Sequence, residues 1–303
     1  MFASPSRRLA AGLGVGLVLA ACCLLAEALS AGWGDYLAVG LILCVGFPHG
    51  AADLGTVRRL LASRPNYSTI GVIGLYLAAM GATALLWWLT PAVALAAFVL
   101  LSVVHFGQEQ AHHLGLRGPG AWVYTAGFGT FALLAPLSWS GDTLGPVAAE
   151  MGGAAMPDSV LLSVRVLAAL GAAVALGFAA ARYNAGRQRA RWGAELWLLV
   201  VLVIVYLSLP SLLGFLVFFV GVHATASIYN QVRFRGWLPT GESLGRFLRE
   251  AFPYAAIAVA SITLLLSVGD LAGSGYAWLG TFFVLVSVFT TPHAVVVWWM
   301  TRG

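Results

Sequence analysis

Four histidines stand inside long apolar stretches, where a polar ring needs a reason to be. They are His49 in Phe47-Pro48-His49-Gly50-Ala51-Ala52-Asp53, His105 in His105-Phe106-Gly107-Gln108-Glu109, His223 in Gly221-Val222-His223-Ala224, and His293 in Thr291-Pro292-His293-Ala294. A single buried imidazole is ordinarily a packing residue hydrogen-bonded to a neighbouring helix. Four of them in segments otherwise poor in polar residues point to a common task, and ligation of a metal ion is the task imidazoles share. An all-imidazole set suits Fe(II), Cu or Zn, whereas Mg²⁺ and Ca²⁺ demand oxygen ligands. The residue types do not choose among the three.

Two carboxylates accompany the set. Asp53 follows His49 by four residues and Glu109 follows His105 by four, so helical geometry puts each one turn below its histidine on the same face. A buried carboxylate that accepts the second ring N–H of a metal-bound histidine holds that ring's tautomer and orientation. The plainer alternative is that Asp53 and Glu109 face the membrane surface beside Arg58 and Arg117. Pro48 and Pro292 directly precede two of the histidines, and a proline inside a helix frees a carbonyl and kinks the chain. Trp87, Trp88, Phe106, Phe218, Phe219, Tyr229, Trp298 and Trp299 lie near the same level; Phe106, Phe219, Tyr229 and Trp298 are the candidates for lining a long apolar tunnel. Facing lipid is the alternative for each of them. His112 and His113, at the end of their span, read as solvated or interfacial.

Elements that span a bilayer must position these groups. Hydropathy predicts helices near 9–30, 35–56, 69–90, 92–114, 120–138, 159–181, 194–209, 211–232, 252–272 and 276–300. The fold class is therefore all-α, a polytopic transmembrane bundle of about ten spans forming one integral membrane domain over 1–303. Loop charge sets its orientation, since cytoplasmic loops are enriched in Arg. With both termini inside, Arg7, Arg8, Arg58, Arg59, Arg64, Arg117, Arg182, Arg187, Arg189, Arg191, Arg233, Arg235, Arg246, Arg249 and Arg302 fall inside, and only Arg165 lies elsewhere. The outer segment 138–158 holds Asp142, Glu150 and Asp158 without Arg, and its Gly and Ala content reads as a simple connector. The first span follows Arg7-Arg8 and is read as a retained helix rather than a cleaved signal.

In this topology the histidines occupy spans two, four, eight and ten, all running from outside to inside. Each precedes the inner end of its span by about seven to nine residues, so all four stand roughly 10–14 Å above that end. Rings on one layer can meet at one ion.

Composition excludes several classes. With 60% hydrophobic and 9% charged residues, the chain is no soluble domain, and continuous apolar runs are not the alternating pattern of a spanning barrel. All 16 cationic residues are Arg and most sit in short loops, a topology signal rather than a nucleic-acid-binding face. Cys22, Cys23 and Cys44 lack metal or disulfide spacing and read as small buried residues. No Lys is present, so no retinal Schiff base can form and the chain is not an opsin.

Pro48-His49-Gly50-Ala51-Ala52-Asp53, His105-Phe106-Gly107 with Glu109, His223 after the run Phe215 to Val222, and Thr291-Pro292-His293 together resemble the Brp/Blh family of membrane-bound β-carotene 15,15'-dioxygenases. The likeness covers nearly the whole chain in order. It implies an Fe(2+) enzyme in the cell membrane that splits the central double bond of β-carotene with O₂ into two all-trans-retinal, with the product passed to a microbial rhodopsin. It carries over His49, His105, His223 and His293 as iron ligands. In many members a second histidine follows one turn after His223, where this chain has Ser227. Two other classes compete for the same residues. A membrane haem or other redox protein would use the histidines in axial pairs, and a transporter would use the His and carboxylate cluster as relays.

Overall fold

The computed structural model describes residues 5–61, 68–139, 144–152, 155–186, 188–270 and 277–302. Among these, all regular structure is helical: α1 Pro5–Leu29, α2 Trp33–Leu41, a π-helical turn Ile42–Gly46, α3 Pro48–Ala51, α4 Asp53–Leu60, α5 Thr69–Leu89, α6 Pro91–His113, α7 Pro119–Ser138 and α8 Leu144–Gly152. There follow α9 Asp158–Asn184, α10 Arg189–Ser208, α11 Ser211–Phe218, a second π-helical turn Phe219–Ala224, α12 Thr225–Phe234, α13 Gly241–Asp270 and α14 Ala277–Arg302. Ten helical stretches are long and apolar enough to cross a membrane, and the chain is a multi-pass membrane protein. Their bounds follow the hydropathy reading closely except for the ninth, which starts at Gly241 rather than 252. Its first turns carry Glu242, Arg246, Arg249 and Glu250, polar residues that hide a helix from a hydropathy window. Arg64, Asp142, Arg187 and the junction between the last two predicted spans lie outside the described residues.

Two further expectations change. The connector at 138–158 contains α8, which packs on α14 closely enough that a Cβ on Gly280 would stand 2.8 Å from that of Glu150. Of the cysteines only Cys23 is buried; its neighbour Cys22, about 100° around the same helix, is exposed, as is Cys44 in the π turn.

The chain divides into two compact units. The first comprises Met1–Gly46, Phe106–Thr143 and Asp158–Ser227. Within it α7 packs along α9, and α1 packs against α2, α11 and the second π turn. Small residues let backbones touch there, as membrane helices lacking a hydrophobic drive require. Gly12 and Gly221 face each other so closely that a Cβ on either would overlap the other's carbonyl group. Arg165, the arginine outside the inward pattern, donates from Nε to the Ser138 carbonyl at 2.9 Å.

Gly107 is equally constrained: a Cβ there would run into the backbone carbonyl of Thr125, so α6 lies directly on α7. We expect Gly107→Ala to destabilise the protein by about 1–3 kcal/mol, the usual cost of overpacking. An earlier midpoint in detergent denaturation of the purified protein checks this, and an unchanged midpoint refutes it.

The second unit comprises Phe47–His105, Leu144–Pro157 and Ile228–Gly303. In it α14 packs against α3, α4, α5, α8 and α13, so one helix touches most of the others.

Candidate metal centre

Three of the four histidines belong to the second unit. Pro48 has no N–H to return to the preceding turn, which is π-helical, and α3 starts anew at the proline, carrying His49. His105 stands on α6 and His293 on α14, where Pro292 is accommodated inside a continuous helix rather than breaking it. Beside it the Thr290 and Thr291 hydroxyls donate to the Val286 and Ser287 carbonyls at 2.8 and 3.0 Å. All three rings are 4% exposed, and each offers a nitrogen within 4.8 Å of those of the other two. His49 and His105 both present their rings edge-on to His293, with centroids 4.9 and 5.0 Å away.

Asp53 fixes one of these rings, although not the one its spacing suggests. The helix breaks at Ala52 between α3 and α4, so His49 and Asp53 do not share a continuous face. The carboxylate instead receives Nδ1 of His293, at 2.9 Å from Oδ1 and 3.0 Å from Oδ2. With Nδ1 donating, a neutral ring would carry its lone pair on Nε2, the nitrogen left available to a metal ion. Tyr76 donates its hydroxyl to Asp53 Oδ2 at 3.2 Å. Asp53 is 3% exposed, which overturns the alternative that it faces the surface beside Arg58.

The backbone of this motif is held from α12 and the loop after it. Gln231 donates from Nε2 to the His49 carbonyl at 2.7 Å, and its Oε1 accepts the Thr56 hydroxyl at 2.9 Å. Arg235 donates to the Ala52 carbonyl and to Thr56 Oγ1. Burial lowers the pKa of this guanidinium, against the Glu250 and Asp53 carboxylates that favour its charge. Sequence alone does not single out Tyr76 or Gln231, and it counts Arg235 only as a topology charge. A lone tyrosine in the apolar run of α5 was the one signal that could have found Tyr76.

The first unit holds the remaining pair. His223 sits in the second π turn, whose Gly221 and Val222 carbonyls accept the Thr225 hydroxyl at 2.7 and 3.1 Å. Its Nδ1 is 3.1 Å from Oε2 of Glu109, and both residues are buried, so Glu109 does not face the surface near Arg117. Phe106 packs edge-on to the His223 ring at 4.7 Å, and Phe219 stacks on it at 5.5 Å. Ser227 is fully buried. A separate buried carboxylate, Glu195, accepts from Gln110 Nε2 at 2.8 Å and from the Tyr124 hydroxyl.

Other predicted residues stand apart. Trp298 is 40% exposed and Trp88 81%, and Tyr229 is half-buried with its hydroxyl accepting from Arg233 at 3.4 Å. His112 is exposed, as the end of a span suggests.

What the second unit assembles is chemically specific. Three buried imidazoles, one oriented by a carboxylate, make a donor set suited to a borderline transition ion rather than to a hard cation that needs a shell of oxygens. The residues fit a metal such as iron.

Known proteins resemble the chain as a whole. The family model described as beta-carotene 15,15'-dioxygenase matches residues 40–301. A protein of Halobacterium salinarum named as a probable beta-carotene 15,15'-dioxygenase Blh is 28% identical over 283 residues, covering 85% of this chain and 81% of its own. A beta-carotene 15,15'-dioxygenase of an uncultured marine bacterium is 34% identical over 74 residues, 24% of this chain and 27% of its own. No solved structure matches.

Proposed function

Because the chain belongs to the beta-carotene 15,15'-dioxygenase family, we propose that it uses Fe(2+) and O₂ to cleave the central double bond of β-carotene into two all-trans-retinal. The observation that carries this reading is the buried trio His49, His105 and His293 with Asp53 on the third ring. The sequence resemblance adds His223 as fourth ligand, with Glu109 toward it as Asp53 is toward His293.

The reaction balances without an external reductant. The 15,15′ carbon–carbon double bond breaks, and each of its carbons takes one oxygen atom of O₂ as an aldehyde. Bound Fe(2+) supplies a site for activating O₂ beside the polyene. Asp53 holds His293 in the Nε2-ligating tautomer, and Tyr76 holds Asp53. Imidazoles ligating in the neutral form would leave a bound ion its full charge. Phe106 and Phe219 pack on the His223 ring and would offer apolar faces to a conjugated chain. A carotenoid dissolves in lipid, and a multi-pass enzyme meets it there. With the arginine-rich loops and both termini cytoplasmic, the histidines lie in the inner half of the membrane, from which retinal passes to a rhodopsin.

The trial is expression in β-carotene-producing cells. Colour is expected to fade as retinal accumulates, and purified protein is expected to retain stoichiometric iron whose chelation stops cleavage and whose return restores it. Persistent carotene despite membrane expression refutes the reading. A strong Soret band would instead point to haem.

A further inference from the structure

A cavity of about 580 Å³ in the second unit opens between α4, the loop after α12 and α13. Five arginines line it, Arg58 and Arg59 from α4 and Arg235, Arg246 and Arg249 from a segment far along the chain, against one carboxylate, Glu250. We propose that this cavity binds a phosphate group, of the kind an anionic phospholipid headgroup carries at the membrane surface.

Charge balance is the first argument. Glu250 is already engaged twice, by Arg235 Nη1 at 3.0 Å and by Arg246 Nε at 3.2 Å. Arg58, Arg59 and Arg249 bring three more cations to a lining with no second carboxylate. Arginines obeying only the topology rule would spread over the loops in water. These converge from two remote segments on one concavity, and the guanidinium is the side chain best shaped to grip phosphate oxygens.

The walls give the second argument. Arg246 lies over the Trp237 ring at 4.2 Å and Arg235 over the same ring at 5.4 Å, so the aromatic plane holds two of the cations in place. Leu54, Pro253 and the exposed Tyr254 continue the lining as less polar surface. Such aromatic side chains favour the level of the headgroups. A phosphate among the arginines with its glycerol against these residues fits a lipid at the end of a span. Arg235 forms the floor: it is buried, and its guanidinium occupies the space a side chain at Gly55 would need.

The test uses the full-length protein in neutral detergent, with native mass spectrometry and tryptophan fluorescence reading binding of short-chain phosphatidylglycerol, phosphatidylcholine and inorganic phosphate. Arg58→Gln with Arg249→Gln removes two exposed cations, and Arg117→Gln, outside the cavity, is the control. We expect phosphatidylglycerol to bind tighter than phosphatidylcholine. The double substitution should weaken it by about thirtyfold, from roughly fivefold per arginine, with the control unchanged. Inorganic phosphate that competes and loses affinity in the same variant supports the site with free phosphate as a source; failure to compete assigns the lipid headgroup. Equal affinity for the two lipids, or equal weakening by Arg117→Gln, overturns the proposal.

Discussion

His293→Ala is expected to lower carotene cleavage by more than about a hundredfold, beyond the range found for outer partners of metal ligands, and to strip iron from the purified protein. Several losses coincide at this position. The ring supplies a nitrogen to the trio, both other rings pack edge-on against it, and it is the partner of the Asp53 carboxylate. Removing it leaves a buried carboxylate with its tyrosine but without its imidazole. Iron per chain, measured beside activity, separates loss of the metal from loss of the fold, which is followed by elution from a sizing column. His112→Ala, at an exposed ring on the same α6 that carries His105, is the matched substitution and is expected to leave both readouts unchanged. Full activity with full iron in His293→Ala would remove this residue from the centre.

The second large effect is expected at Asp53. An asparagine keeps the size of the side chain but loses the charge, and one of its two polar atoms becomes a donor. The amide nitrogen has no lone pair for either donor, so His293 Nδ1 and the Tyr76 hydroxyl must share the one remaining, uncharged oxygen. We expect Asp53→Asn to lower iron affinity and turnover by about 10–100-fold. The loss should appear mainly as weaker metal retention and be partly recovered at high iron. A variant equally inactive at every iron concentration would mean that the carboxylate does more than orient the ring.

The histidines were legible because each breaks an apolar run, and the spans because their runs are long enough to cross a bilayer. Partner identities were not. A spacing of four assumes an unbroken helix, and the break at Ala52 cancels that assumption for His49 and Asp53. The π turn around His223 adds a residue to the local turn, a shift that side-chain types do not announce. Glu109, four residues after His105, meets His223 from a different helix. Tyr76, Gln231 and Arg235 stand at no characteristic distance from any histidine, so only the folded chain identifies them as supports. The same limit applies to surface shape: five arginines satisfied a topology count before any cavity could be seen among them.

The pairing of Asp53 with His293 joins residues 240 positions apart, and the bond from Gln231 to the His49 carbonyl spans 182. A ribosome adding roughly 5–20 residues per second completes α3 and α4 many seconds before α14 exists. During that interval Asp53 and the carbonyls around it have entered, or wait to enter, hydrocarbon without the groups that later satisfy them. The centre is thus a late product of biogenesis, closed by the final described helix rather than grown alongside the early ones. Chains halted before that helix would leave an ionisable side chain in lipid without its imidazole partner, a costly arrangement.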